Sequence, residues 1–257
     1  MKLCYKLADT EKNISTILEF TKSGVSDFWS MPFFHFYPDI DKTKYKLMSD
    51  EKKIVFLQKY FGELKSKNEL LLVDKINAYN TYWQRHENEI ISKLQNIFQI
   101  DLSKLFNDLV CYTSFCPICP RYLAEHSFNN FYLESEKGAL GTSMHEIIHF
   151  VWFYVWNDFF GDSYAEYEAP NLKWILSEMV VEPIMRYDDL GAINPYFTSK
   201  SCVYPYFYTL KIDDEPILDK LYKMLTSMPI KMFMEQSYEL CIKHEQSIRK
   251  HIQSNEN

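Results

Sequence analysis

The stretch that most restricts how this chain can fold is Thr-Ser-Met-His-Glu-Ile-Ile-His-Phe, residues 142–150. It opens a run, 142–160, that holds neither Pro nor Gly. Met144, Ile147, Ile148, Val151 and Val155 recur at helical spacing, and Phe150, Trp152, Phe153 and Tyr154 fill much of the remaining surface. A helix apolar nearly all round belongs in an interior. His145, Glu146 and His149 must then be accommodated there, since buried polar groups are costly unless they are partnered. Residues four apart lie one above the other on a helix. His145 and His149 can therefore aim two imidazoles at one metal ion, and Glu146, one step round, can reach a water in the metal's open position.

Two other readings compete. Ser143-x-x-Glu146 also fits a capping box, which would start the helix at Ser143 and make Glu146 structural. Glu146-x-x-His149 is also a di-iron ligand pair, but that chemistry needs a second Glu-x-x-His. None exists: Pro32, Trp83, Leu123, Cys241 and Ile248 stand three before the remaining histidines.

The chain has 257 residues, 47% hydrophobic and 25% charged, enough for one large domain or two small ones with ample core. Six glycines and no Gly-x-Gly-x-x-Gly argue against a phosphate loop, and a net charge of −7 argues against a nucleic-acid surface. The residues from Met1 to Asp9 lack the apolar core of a signal segment, and the apolar run near 147–160 is too short and polar for a membrane span. The expectation is a cytoplasmic protein with reduced cysteines.

Periodicity predicts helices around 14–20, 51–65 (capped by Ser49 or Asp50), 74–98, 171–180, 216–228 and 231–252. Residues 28–38, aromatic and broken by Pro32 and Pro38, read as extended, with His35 packed. Residues 109–116 and 128–133 read as strands, 134–138 as a turn, 162–169 as an acidic loop and 190–214, with Gly191, Pro195 and Pro205, as loop-rich. The tail 253–257 reads as frayed. Cys111, Cys116, Cys119 and His126 offer a structural metal or redox pair as minor alternatives to packed thiols.

A catalytic zinc usually takes three protein ligands. Glu178, in Trp-Ile-Leu-Ser-Glu-Met-Val-Val-Glu from 174 to 182, is the best third candidate. It follows His149 by enough chain for a loop and a second helix, and its apolar neighbours would make a bare carboxylate expensive.

His145-Glu146-x-x-His149 with a later helical Glu178 resembles the gluzincin branch of zinc metallopeptidases, over roughly residues 105–190. The resemblance implies an α+β fold, a mainly helical zincin-like domain with a small mixed sheet packed on the motif helix. It implies Zn2+ held by His145, His149 and Glu178, and Glu146 as general base. Glu182 would steady a ligand imidazole, although Pro183 directly follows it. Residues 128–133 would be the edge strand that binds an extended peptide. Tyr164, Tyr167, Tyr204, Tyr206, Tyr208 and His244 remain open as oxyanion donors.

The expected organisation is an N-terminal helical region, 1–100, packed on a zincin-like core, 101–257, or a single domain. The expected function is zinc-dependent hydrolysis of a peptide or protein substrate, with no nucleic-acid or membrane partner. The alternative is an inactive zincin-fold interaction module with structural zinc.

Overall fold

The computed structural model describes residues 1–103, 105–194, 197 and 201–256. Pro195, one of the expected loop markers, and Asn257, the end of the expected frayed tail, lie outside the described residues. The chain is α+β, mainly helical with a small mixed sheet. It divides into two compact units that interleave along the sequence: Lys2–Trp83 with Asp108–Ala139, and Gln84–Asn107 with Leu140–Glu256.

The first unit holds the sheet. Strands β1 (Leu3–Leu7), β2 (Leu109–Ser114), β3 (Arg121–Tyr122) and β4 (Ser127–Phe131) lie in the order β1-β2-β4-β3. β1 runs parallel to β2, Leu3 opposite Leu109, and β2 runs parallel to β4, Val110 opposite Ser127. β3 is antiparallel to β4. β1 escaped the sequence reading because Leu3, Tyr5 and Leu7 alternate over only five residues. β4 is not the expected edge strand. It lies between β2 and β3 and is buried along its length.

Parallel neighbours need a crossover. Between β1 and β2 it is supplied by α1 (Thr10–Thr21), α2 (Asp27–Phe36), α3 (Lys42–Lys46), α4 (Asp50–Lys67) and α5 (Glu69–Phe98). The Asp9 and Ser49 side chains cap α1 and α4 by accepting the N–H of Lys12 and Lys52. α2 corrects the expectation of an extended segment. Ser26 caps it, Asp27 suits its first turn, and Pro32 sits inside it. Proline costs a helical hydrogen bond. Packing offsets that cost, because Phe33 is fully buried with the rings of Tyr37 and Tyr45 at 5.5 and 5.7 Å. His35, on the same helix, is exposed rather than packed.

The motif helix, α6 (Glu136–Phe160), starts earlier than its uninterrupted apolar run. Ser135 Oγ accepts the Gly138 N–H at 3.1 Å, so residues 134–138 lead into the helix rather than turning the chain. Ser143 then lies about two turns inside, and the capping-box reading of Glu146 falls with it.

The second unit packs α6 from Leu140 onward with α7 (Leu172–Arg186), a hairpin of β5 (Lys211–Ile212) and β6 (Glu215–Pro216), and α8 (Ile217–Ser227), α9 (Ile230–Lys243) and α10 (Glu245–Glu256). The hairpin turns on Asp213 and Asp214, at φ 52° and 63°, the left-handed pair a two-residue hairpin favours. Rings join α6 to α9: Trp152 to Phe233 at 5.9 Å and Trp156 to Tyr238 at 5.3 Å. α7 is buried on nearly every face and contacts both α8 and α9. The expected helix 231–252 breaks at His244 into α9 and α10, and α10 carries the tail to Glu256 in helical form. No helix among the described residues is long and apolar enough to cross a membrane.

Candidate metal centre

α6 and α7 bring three of the expected ligands together. His145 and His149, one helical turn apart, place their Nε2 atoms 3.0 Å from each other. Glu178 comes from α7, with Oε2 3.6 Å from His145 Nε2 and Oε1 3.5 Å from His149 Nε2. Among the described residues this is the one group of three His, Cys, Asp or Glu whose ligand atoms converge, all within 4.8 Å of one another. The His149 side chain is fully buried and that of Glu178 is 3% exposed, whereas that of His145 is 23% exposed. The cluster opens on the His145 side.

The hydrogen bond on the far side of His145 fixes its chemistry. His145 Nδ1 lies 2.9 Å from the carbonyl oxygen of Cys202. A carbonyl only accepts, so Nδ1 carries the proton, and in the neutral ring Nε2 presents a lone pair. That lone pair faces the other imidazole and a carboxylate. Three electron-rich groups in this arrangement need a cation or a shared proton between them. Zinc bonds N and O ligands at about 2.0–2.2 Å, which on a tetrahedral shell separates ligand atoms by roughly 3.3–3.5 Å. The His–His edge of 3.0 Å lies within a few tenths of that, while Glu178 turns a different oxygen to each ring, Oε1 at 3.5 Å and Oε2 at 3.6 Å, and with one ligand atom from each residue the three lie within 4.8 Å of one another. The donor set of two imidazole nitrogens and one carboxylate fits zinc, and no feature of the geometry singles it out from other divalent ions of similar preference. Glu146, next to His145 on the same turn, is 6% exposed.

Glu182 is engaged elsewhere than expected. α7 continues through Pro183, and the Glu182 carboxylate meets the Nε of Arg186 at 2.9 Å. Arg186 also donates to Asp219 at 3.0 Å and covers the Tyr222 ring. Burial pushes the Glu182 carboxyl up to about 7, against the opposing pull of Arg186. The orienting bond on His145, expected from this carboxylate, comes from the Cys202 main chain instead.

Sequence reasoning did not find Cys202. A main-chain carbonyl leaves no residue signature, and its thiol, pushed up to about 12 by burial, is a protonated bystander. The open set of tyrosines narrows. Tyr164 is exposed, Tyr167 meets Asn157, and Tyr208 bonds the Cys202 N–H. Tyr206 is 3% exposed, its hydroxyl is buried with no hydrogen-bond partner among the described residues, and its pKa is raised by burial first and also by the charges of Glu256 and Glu178. Asn194 was also missed: a Cβ on Gly141, one turn before His145 on the same helical face, would lie 2.3 Å from its Nδ2.

Cys111, Cys116, Cys119 and His126 form no metal cluster among the described residues. The Cys111 thiol faces Asn130, and His126 pairs with Asp108. The acidic loop at 162–168 turns inward in part, because Asp162 and Glu166 both bind Lys173 at 2.5 Å.

Comparisons of the chain with protein-family models, curated proteins and solved structures find no match.

Proposed function

We propose that this chain is a zinc-dependent peptidase of gluzincin type, with His145, His149 and Glu178 holding the metal and Glu146 acting as general base. The convergence of three donors from two helices, two of them buried, carries the reading. Bound zinc would supply Lewis acidity and lower the pKa of a coordinated water towards ~7. Glu146 takes the proton from the attacking water and returns it to the leaving nitrogen. Cys202 holds the His145 ring, and the Tyr206 hydroxyl is the favoured donor to the developing oxyanion. Substrate approaches on the more exposed His145 side. A peptide or protein is the substrate class, and the net charge of −7 weighs against nucleic acid. A reducing, cytoplasmic setting suits the thiols of Cys116 and Cys241, which burial pushes up to about 12.

The test is Glu146→Gln. The variant is expected to keep one zinc per chain and to lose hydrolysis of a peptide library by two to four orders of magnitude, roughly the range for a positioned acid–base group. Equal turnover in wild type and variant refutes the assignment. Stoichiometric zinc with no chelator-sensitive cleavage by the wild type selects the alternative, a zincin-fold interaction module clamped by structural metal.

A further inference from the structure

The bond that orients His145 is only as well placed as the peptide unit that makes it. The Cys202 carbonyl accepts from His145 Nδ1 at 2.9 Å. The same residue's N–H donates to the Tyr208 hydroxyl oxygen at 3.2 Å, and its thiol lies 3.6 Å from that oxygen. Tyr208 ends the short helical turn Pro205–Tyr208, which Phe207, fully buried, anchors. A hydroxyl fixed by that turn thus grips the donor side of the segment whose acceptor side grips the imidazole.

We propose that Tyr208 is a positioning residue for the ligand His145, acting through the main chain at Cys202. The proposal rests on the metal centre proposed above and deepens it. A group that orients a ligand imidazole from outside the coordination shell fixes its tautomer and direction, and losing one typically weakens metal binding about 10–100-fold. The effect here passes through a peptide, so no carboxylate is needed.

The experiment compares wild type, Tyr208→Phe and Cys202→Ala as full chains. Zn2+ affinity is measured by competition with a chromophoric chelator, and the Co2+-loaded proteins are compared by visible absorption. Tyr208→Phe is expected to keep one metal per chain, bind Zn2+ about 10–100-fold more weakly and shift the Co2+ bands. Cys202→Ala, which removes the thiol and keeps the peptide, is expected to match wild type in both. Melting in chelator checks that Tyr208→Phe still folds, and the Co2+ spectrum reports ligand geometry, which a loss of stability alone would not move. Wild-type affinity and an unchanged spectrum in Tyr208→Phe overturn the positioning role and leave the centre standing. A Cys202→Ala defect as large as that of Tyr208→Phe overturns the main-chain route. A wild type that binds no stoichiometric Zn2+ overturns both this proposal and the centre beneath it.

Discussion

Replacing Glu178 by Gln should move stability in opposite directions with and without metal. The Glu178 side chain is 3% exposed on a helix buried on nearly every face. In the metal-free protein its carboxyl group is held in a low-dielectric interior against two imidazoles, and, as with buried ion pairs whose replacement by uncharged residues is often stabilising by about 1–4 kcal/mol, relieving that desolvation should stabilise the fold. Glu178→Gln keeps the shape and removes the charge. With about 2–4 °C of melting temperature per kcal/mol for a chain near this size, the variant in chelator should melt roughly 2–16 °C above wild type. Zinc reverses the order. Metal at a thousand times its dissociation constant stabilises the wild type by about 4 kcal/mol, or roughly 8–16 °C, and an amide in place of the carboxylate forfeits most of that. The assay is thermal melting by circular dichroism, in chelator and in excess Zn2+. A Gln variant that melts below wild type in chelator, yet gains as much from zinc, would refute the reasoning, because Glu178 would then be an ordinary structural residue.

Glu182 predicts a pH dependence. Its folded pKa is raised to about 7 from 4.5, so between those values the folded state keeps a proton that the unfolded chain has released. Stability from this group is therefore greatest below about pH 4.5 and falls as pH rises to about 7, by at most about 3 kcal/mol. Urea midpoints at pH 4.5 and pH 8 should show a smaller drop for Glu182→Gln than for wild type, and parallel drops would count against it. Gly141→Ala places a methyl on the approach of Asn194. The expected result is a cost of about 1–3 kcal/mol from overpacking, with zinc affinity nearly unchanged because neither ligand helix is cut. A stabilised variant, as helix propensity alone would give, would show that Asn194 yields freely.

What the sequence disclosed is what lies close along the chain. The pairing of His145 with His149 was legible because helical geometry converts a spacing of four into a shared face. Glu178 was legible because a charged residue among Ile175, Leu176, Met179 and Val180 demands a partner. α2 was misread because Pro32 argues locally against a helix, and only the surrounding rings of Phe33, Tyr37 and Tyr45 override it. The start of α6 was misplaced because Gly138 resembles a turn until the Ser135 hydroxyl caps the helix. Cys202 was beyond reach, since its contribution is a carbonyl every residue has. The same holds for β4: its place between β2 and β3 is fixed by pairings that composition does not encode.

Two carboxylates one helical turn apart on α7 make the strongest internal argument for a cation. Glu182 and Glu178 are both nearly excluded from solvent, on the same buried helix. Glu182 meets a permanent charge, the guanidinium of Arg186, at 2.9 Å. Glu178 meets two imidazole nitrogens, one of them compelled by the Cys202 carbonyl to present a lone pair when its ring is neutral. A fold that supplies arginine to the first carboxylate and imidazoles to the second treats them differently. Arginine stays charged beside its acid at every accessible pH. Neutral imidazoles add donors around it, an arrangement that lowers free energy only when a positive ion, proton or metal, occupies the point they share.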